Sequence, residues 1–228
     1  MHTLNPTAIK IADLAEHYIQ TRGFNGFSFR DIQNELGITT ASIHYHFKTK
    51  QDLAHAVIER YVQRYQTKLS EIHQQNELAQ SKLTAFAKEF IKTHQSNKLC
   101  LCGMFASDLY SLSKEVVMPL NRFVDINHDW LNSVIKQGIA NGELQQNIDP
   151  EGVAKLYFSA LEGSLLMGQF RASDNIEVIA RNLIAAITEK QVRTGRKLEP
   201  NWDSSGTKRC LTGVKRSSIE RYRTLKLK

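Results

Sequence analysis

An all-α protein of about nine helices is what this sequence predicts, short helices first and long ones after. Three observations predict it. Apolar residues recur every three to four positions along most of the chain, and no stretch alternates with period two for long enough to argue a sheet. Four prolines and 12 glycines in 228 residues leave room for long uninterrupted helices. The helix starts are marked by Ser, Thr, Asn or Asp, followed by proline or by a carboxylate three places on. A hydrophobic content of 41% with 23% charged residues is ordinary for a globular chain with a substantial core.

Taken in order, Asn5-Pro6 is an N-cap with proline at the first helical position, and Ile11, Ala12, Ala15, Tyr18 and Ile19 repeat at helical spacing until Gly23. Ser28-Phe29-Arg30-Asp31 is a capping box opening a short helix whose inner face is Phe29, Ile32 and Leu36. Gly37 stands where helices end in a left-handed residue, and Thr39 or Thr40 can cap the third helix, in which Ile43 and Phe47 lie one turn apart. A second capping box, Thr49-Lys50-Gln51-Asp52, starts a longer helix carrying Leu53, Val57, Ile58, Tyr61, Val62, Tyr65 and Leu69.

Beyond residue 75 the period stays helical. Leu83, Phe86, Ala87 and Phe90 form one stripe and Met104, Phe105, Leu109 and Leu112 another. Leu120, Phe123, Asn127, Trp130, Leu131, Val134 and Ile139 mark a long helix ending at Gly142. Asp149-Pro150 caps the next, expected to run to about Phe170, and Asp174-Asn175-Ile176-Glu177 caps the last, with Ile179, Leu183 and Ile187 inward.

The formal charge of +7 suggests an acidic partner, but it is unevenly placed. Residues 190–228 hold 12 Lys+Arg against 3 Asp+Glu, and the rest of the chain is slightly acidic. This last segment, 191–228, breaks in composition so sharply that it reads as a disordered basic tail, either an arm that tethers nucleic acid or a sequence foreign to the native protein. The three cysteines, Cys100, Cys102 and Cys210, are too few for a disulfide framework or a four-ligand zinc site, so a cytoplasmic setting is expected. The first ten residues lack the apolar stretch of a secretion signal, and no apolar run is long enough for a bilayer, so no membrane partner is expected.

The informative stretch is Ser28 to Lys50. Two short helices joined by a glycine turn, with a longer helix packing across both, is the layout of a helix-turn-helix, whose second helix lies in the major groove. With Ile43 and Phe47 inward, Thr40, Ala41, His44 and Tyr45 point outward and Ser42 lies at the edge. The helix N-termini near Ser28, Thr40 and Thr49 can hold phosphates, with Lys48 and Lys50 supplying charge.

These residues form a known pattern. Phe27-Ser28-Phe29-Arg30-Asp31-Ile32, Leu36-Gly37-Ile38-Thr39 and Ser42-Ile43-His44-Tyr45-His46-Phe47-Lys48-Thr49-Lys50-Gln51-Asp52-Leu53 resemble the N-terminal DNA-binding domain of the TetR/AcrR family of bacterial repressors. The match is close over roughly residues 8–55, and the later helices agree in number and length to about residue 189. The resemblance implies a three-helix helix-turn-helix domain over 1–50 and a helical ligand-binding and dimerisation domain over 51–190. It further implies a homodimer on a palindromic double-stranded operator, released by a small-molecule inducer. Candidate DNA contacts are Ser28, Arg30, Thr39, Thr40, Ala41, Ser42, His44, Tyr45, His46, Lys48 and Lys50. Where the family most often has tyrosine this chain has His44, so the phosphate contact usually made there passes to His44 or Tyr45.

The same resemblance places a pocket in the core of the second domain, where Phe86, Phe90, Met104, Phe105, Trp130 and Tyr157 are either plain core or pocket lining, with Asp108 and Asn127 as polar anchors. Dimerisation is assigned to the last two helices through Leu156, Ala160, Gly163, Leu166, Met167, Ile176 and Ile179. Cys100, followed by Leu101 and the run Ala106 to Leu109, resembles a branch of the family that senses electrophiles through a cysteine; the alternative is a small packing residue. His44 and His46 at i and i+2 point to different sides of a helix, so no metal site is expected, nor any cofactor. No nucleophile with a base and no paired carboxylates argue an enzyme. The expected function is a ligand-responsive repressor, with an activator, a thiol-sensing regulator and, more remotely, a small-molecule-modifying enzyme as alternatives.

Overall fold

The computed structural model describes residues 4–170 and 175–188, and the basic segment 191–228 lies outside them. Among the described residues there are nine α-helices and no strand: α1 Pro6–Arg22, α2 Phe29–Leu36, α3 Thr40–His46, α4 Lys50–Gln75, α5 Ala79–Gln95, α6 Leu101–Ser107, α7 Lys114–Ala140, α8 Pro150–Met167 and α9 Ile176–Thr188. Single 3-10 turns follow α1, at Phe24–Gly26, and α6, at Leu109–Ser111.

The capping residues do what their chemistry allows. Asn5 Oδ1 accepts from Ala8 N–H at 2.9 Å. Of the two threonines at the start of α3, Thr39 is the cap, its hydroxyl oxygen accepting from Ser42 N–H at 3.1 Å. Thr49 and Asp52 complete a reciprocal box, 2.9 Å from Thr49 N–H to the carboxylate and 3.1 Å from Asp52 N–H to the hydroxyl. Asp149 receives Glu151 and Gly152 N–H, and Asn175 Oδ1 receives Glu177 N–H at 2.8 Å. Each satisfies amides that the first turn of a helix leaves without partners.

Two layers of packing follow. Ile11, Ala15 and Ile19 of α1 are fully buried with Ile32 of α2, Ile43 of α3 and Leu53, Val57 and Ile58 of α4, making a small N-terminal head. The later part of α4 packs on α7, which with α5, α8 and α9 builds the body around Phe86, Phe123, Leu131, Ile135 and Leu161. α6 packs on α1. At the far end of the body α7 meets the start of α5 closely. A Cβ on Gly138 would lie 2.6 Å from Ala79 Cβ and within 2.9 Å of two Leu144 carbons. Gly138→Ala is therefore expected to destabilise the protein by about 1–3 kcal/mol in thermal or urea unfolding, the usual cost of overpacking.

Two stretches differ from the pattern in the sequence. The stripe from Met104 to Leu112 is not one helix: α6 stops at Ser107 because the Asp108 carbonyl accepts from both the N–H and the hydroxyl of Ser111, each at 2.8 Å, winding the chain into a tighter turn. Leu109 is exposed as a result. In α9 the buried phase is Ile176, Ala180 and Ile187, with Ile179 and Leu183 only half-buried, so the helix is rotated from the Ile179–Leu183–Ile187 face. No described helix is long and apolar enough to cross a membrane.

Candidate nucleic-acid interface and the polar interior behind it

Gly37, at φ 63° and ψ 29°, makes the left-handed turn that lets α3 follow α2 at once, a conformation that costs a side-chain-bearing residue roughly 1–2 kcal/mol. Ile43 and Phe47 anchor α3 in the head core, and the Thr40 hydroxyl is tied to the Gln33 side chain of α2. These constraints fix which side of α3 faces out: Ala41, His44 and Tyr45 are exposed, Tyr45 by 83%. His46 is half-buried, its ring edge-on to Tyr45 at 5.1 Å.

His44 is held on two sides. Its ring meets Phe29 of α2 edge-on at 5.0 Å, and Nδ1 lies 3.0 Å from the Lys48 carbonyl. A carbonyl only accepts, so Nδ1 carries the proton and Nε2 of the neutral ring is an acceptor. As a neutral ring His44 can accept from a base amino group such as adenine N6 or cytosine N4, and as an imidazolium it can donate to phosphate. Tyr45, with its hydroxyl outward, remains able to donate to phosphate.

The flanking groups divide. Arg30 and Lys48 are exposed and enter no ion pair among the described residues. The Ser28 hydroxyl and N–H both donate to Asp31 Oδ2, at 2.6 and 2.7 Å, and this holds the Asp31 carboxyl below its ordinary value. Lys50 is turned inward: its ammonium donates to the Phe27 carbonyl and lies 4.7 and 4.3 Å from the centres of the Phe24 and Phe27 rings. Burial lowers its pKa, opposed by the charges of Asp108 and Asp31. Lys50 thus stands at a helix N-terminus as expected, but its charge serves the inside of the head, and Lys48 is the lysine presented outward.

Head and body are joined by polar contacts around α6. Asn25 donates its side-chain amide to Asp108 Oδ1 at 2.8 Å, Gln51 donates to the Ser111 carbonyl at 2.9 Å, and Gln20 and Leu99 exchange two bonds at 3.1 and 3.3 Å. Asp108 and Met104, candidate pocket residues by sequence, stand at this junction, with Met104 Cε beside Gly23.

Deeper in the body, Phe86 stacks on Trp130 at 5.6 Å, the Tyr157 hydroxyl donates to the Leu83 carbonyl at 2.9 Å, and Asn127 donates to the Phe123 carbonyl at 2.7 Å. Phe86, Phe90, Phe105, Asn127 and Tyr157 are buried against their neighbours and border neither of the two larger clefts described here. Trp130 does border one, a cleft of about 470 Å³ between α4 and α7 that Leu69, His73 and Ile126 also line. The second, of about 340 Å³, lies between α5 and α9.

Cys100 is buried at the start of α6, 3.8 Å from the Tyr61 hydroxyl, and burial pushes its thiol well up; the Cys102 thiol is pushed up to about 12. A reactive thiol needs the opposite shift and exposure. Beside them lies a residue that the sequence reading passed over. Both carboxylate oxygens of Glu162 on α8 are buried with no nitrogen or oxygen donor, only the weakly donating Cys100 thiol beside them, and burial raises its pKa to about 7. Its signal was in the sequence: between Lys155 and Arg171, Glu162 is the sole charged residue in an otherwise apolar helix. No group of three or more His, Cys, Asp or Glu among the described residues is placed to hold a metal ion.

On the outer side of α8, Leu156, Leu166 and Met167 are exposed with Phe170 beyond them, and Ala160 and Gly163 lie half-buried between. Of the two α9 candidates for the same surface, Ile179 is half-buried, but Ile176 is 2% exposed and packs into the body's own core, so it cannot serve a partner. The rotation of α9 is the reason.

Comparison with known proteins gives a consistent result. The profile of "Bacterial regulatory proteins, tetR family" matches residues 11–57. The structure is similar to a TetR transcriptional regulator of Legionella pneumophila, at 32% identity, covering 82% of this chain and 98% of that one, with a TM-score of 0.71. It is also similar to a TetR-family regulator of Agrobacterium tumefaciens, at 27% identity, 81% and 100% coverage and a TM-score of 0.77. The regulator FadR of Bacillus subtilis, solved in complex with stearoyl-CoA, shares the fold at 16% identity, 79% and 97% coverage and a TM-score of 0.64.

Proposed function

Because the chain belongs to the TetR family of bacterial transcriptional regulators, we propose that it is a ligand-responsive repressor that binds a palindromic operator as a homodimer. The observation that carries this reading is the outward face of α3, where Ala41, His44 and Tyr45 are exposed while Ile43 and Phe47 anchor the helix in the head core. In this reading Thr40, Ala41 and His44 meet base edges, and Arg30, Tyr45 and Lys48 meet phosphates. The apolar stripe of Leu156, Leu166 and Met167, opened at Gly163 where a Cβ would meet nothing within 4 Å, supports close approach of a second α8. That a fold neighbour was solved in complex with stearoyl-CoA supports a small-molecule ligand in this reading.

Release needs little energy. A ligand that favours the non-binding arrangement by about 1–3 kcal/mol changes operator affinity several-fold to a hundredfold. The route from body to head runs through α6 and the Asn25–Asp108 bond. Asp108→Ala is expected to free the head locally: hydrogen exchange at residues 23–28 speeds up several-fold, as for a lost bond of about 1 kcal/mol, while exchange in α5 and α8 is unchanged.

The direct test is a mobility shift with the DNA flanking the protein's own gene. Salt-dependent, sequence-selective binding is expected; a sequence-blind interaction overturns the reading. A promoter fusion then gives the sign, repression or activation.

A further inference from the structure

The interior of the body holds a cluster that packing alone does not require. Tyr61 and Tyr65 of α4 lie 5.7 Å apart, and Phe123 of α7 meets both, at 5.3 and 4.9 Å. Tyr61 reaches Cys100 at the start of α6. Burial keeps both phenols and both nearby thiols protonated, and the charge of Glu162 adds to it. Gly103 stands against the Glu162 carboxylate: a Cβ there would come within 3.3 Å of Oε2. The buried ionisable members of the cluster are acids; the Arg64 guanidinium, 5.7 Å from the Tyr61 ring centre, is paired with Glu16, and the described residues place no ion pair on Glu162.

We propose that Glu162 is the anchor for a ligand carrying a protonated amine, whose cationic head pairs with the carboxylate in the neighbourhood of Tyr61, Tyr65 and Phe123. The claim rests on the reading of the body as the ligand-binding part. A buried carboxylate with only a weak thiol donor is costly, and a buried charge is ordinarily paired. A cation supplies the missing partner, and aromatic faces add to its attraction when water is excluded. An anionic head would meet the carboxylate's own charge, and a neutral donor would leave that charge uncompensated. The position also gives the ligand a mechanical connection. α6 runs only from Leu101 to Ser107, with Cys100 and its Glu162 neighbour at one end and the Asp108–Asn25 tie to the head at the other.

The test uses the full chain and three probes on one scaffold: 4-phenylbutylamine, 4-phenylbutanol and 4-phenylbutyrate, measured by calorimetry at pH 8. The amine is expected to bind at least tenfold more tightly than the alcohol, and the butyrate most weakly. Glu162→Gln should cost the amine tenfold or more and change the alcohol less than twofold. Tyr65→Leu should weaken the amine several-fold. In the unmodified protein the amine's advantage should fade below pH 6, a readout that needs no variant. Equal binding of amine and alcohol, binding of none of the three at millimolar concentration, or a preference that survives Glu162→Gln overturns the proposal. Operator release is scored separately. Amine binding through Glu162 without release keeps this site and removes its role in induction. Release by uncharged or anionic compounds, with no amine binding, keeps the repressor and removes the site.

Discussion

Glu162→Gln is expected to make the protein more stable at pH 8 and to leave it nearly unchanged at pH 4. Burial raises the folded carboxyl from its ordinary 4.5 to about 7. For an acid shifted in that direction, the unfolded chain gives up its proton first. The folded state is therefore penalised progressively as pH rises through the window between the two values, with no penalty below it and a constant one above. At 1.36 kcal/mol per unit, the limit is about 3 kcal/mol. Glutamine keeps the shape and removes the charge, so the variant's stability should lack this decline, although its buried amide still needs partners and the gain falls short of the full figure. Urea unfolding at pH 4 and pH 8 measures it. Parallel pH dependences for the two proteins would show that Glu162 is not buried without a partner in solution.

The second large effect is on DNA. Tyr45→Ala is expected to weaken operator binding by about 1–3 kcal/mol, several-fold to a hundredfold, since an exposed aromatic contact is lost. Stability should move by no more than about 0.5 kcal/mol, because the side chain is exposed and its ring meets only its neighbour His46. Ile43→Ala two residues earlier should do the reverse, costing about 2–5 kcal/mol of stability through a cavity in the head core. Fluorescence anisotropy on a labelled operator and thermal unfolding separate the two. Lys50→Ala belongs with Ile43 in this contrast: its ammonium holds the Phe27 carbonyl and two rings, so the head loosens, and the salt slope of binding stays as it was.

The head was legible in the sequence because its signals are local. A cap, a glycine in the left-handed region and two apolar residues one turn apart each act within a few positions, and together they determine α2, α3 and the outward face of α3. The body was legible as helices but not as a site. Whether Leu109 continues α6 depends on Ser111 winding back onto the Asp108 carbonyl, and α9 presents Ile176 to its own core because of how α5 and α8 receive it. Neither is a property of the local period. Lys50 shows the same limit in a charge: its position at the start of α4 is local, but the direction of its long side chain is set by Phe24 and Phe27 from another helix boundary. Glu162 was the converse, a strong anomaly in an apolar run whose meaning appears only when Cys100, Tyr61 and Tyr65 are brought around it.

α4 crosses from head to body without a break, and at 26 residues it is about 39 Å long at 1.5 Å per residue. That makes it a lever. A tilt of about 5° about its far end displaces the Lys50 end by about 3 Å, and in the proposed homodimer two such arms move in mirrored senses. The distance between the reading helices then changes by roughly 7 Å, a fifth of the ~34 Å between successive major grooves on one face of the duplex. An adjustment in the body the size of a few methyl groups is thereby geared into a spacing that two half-sites can no longer share.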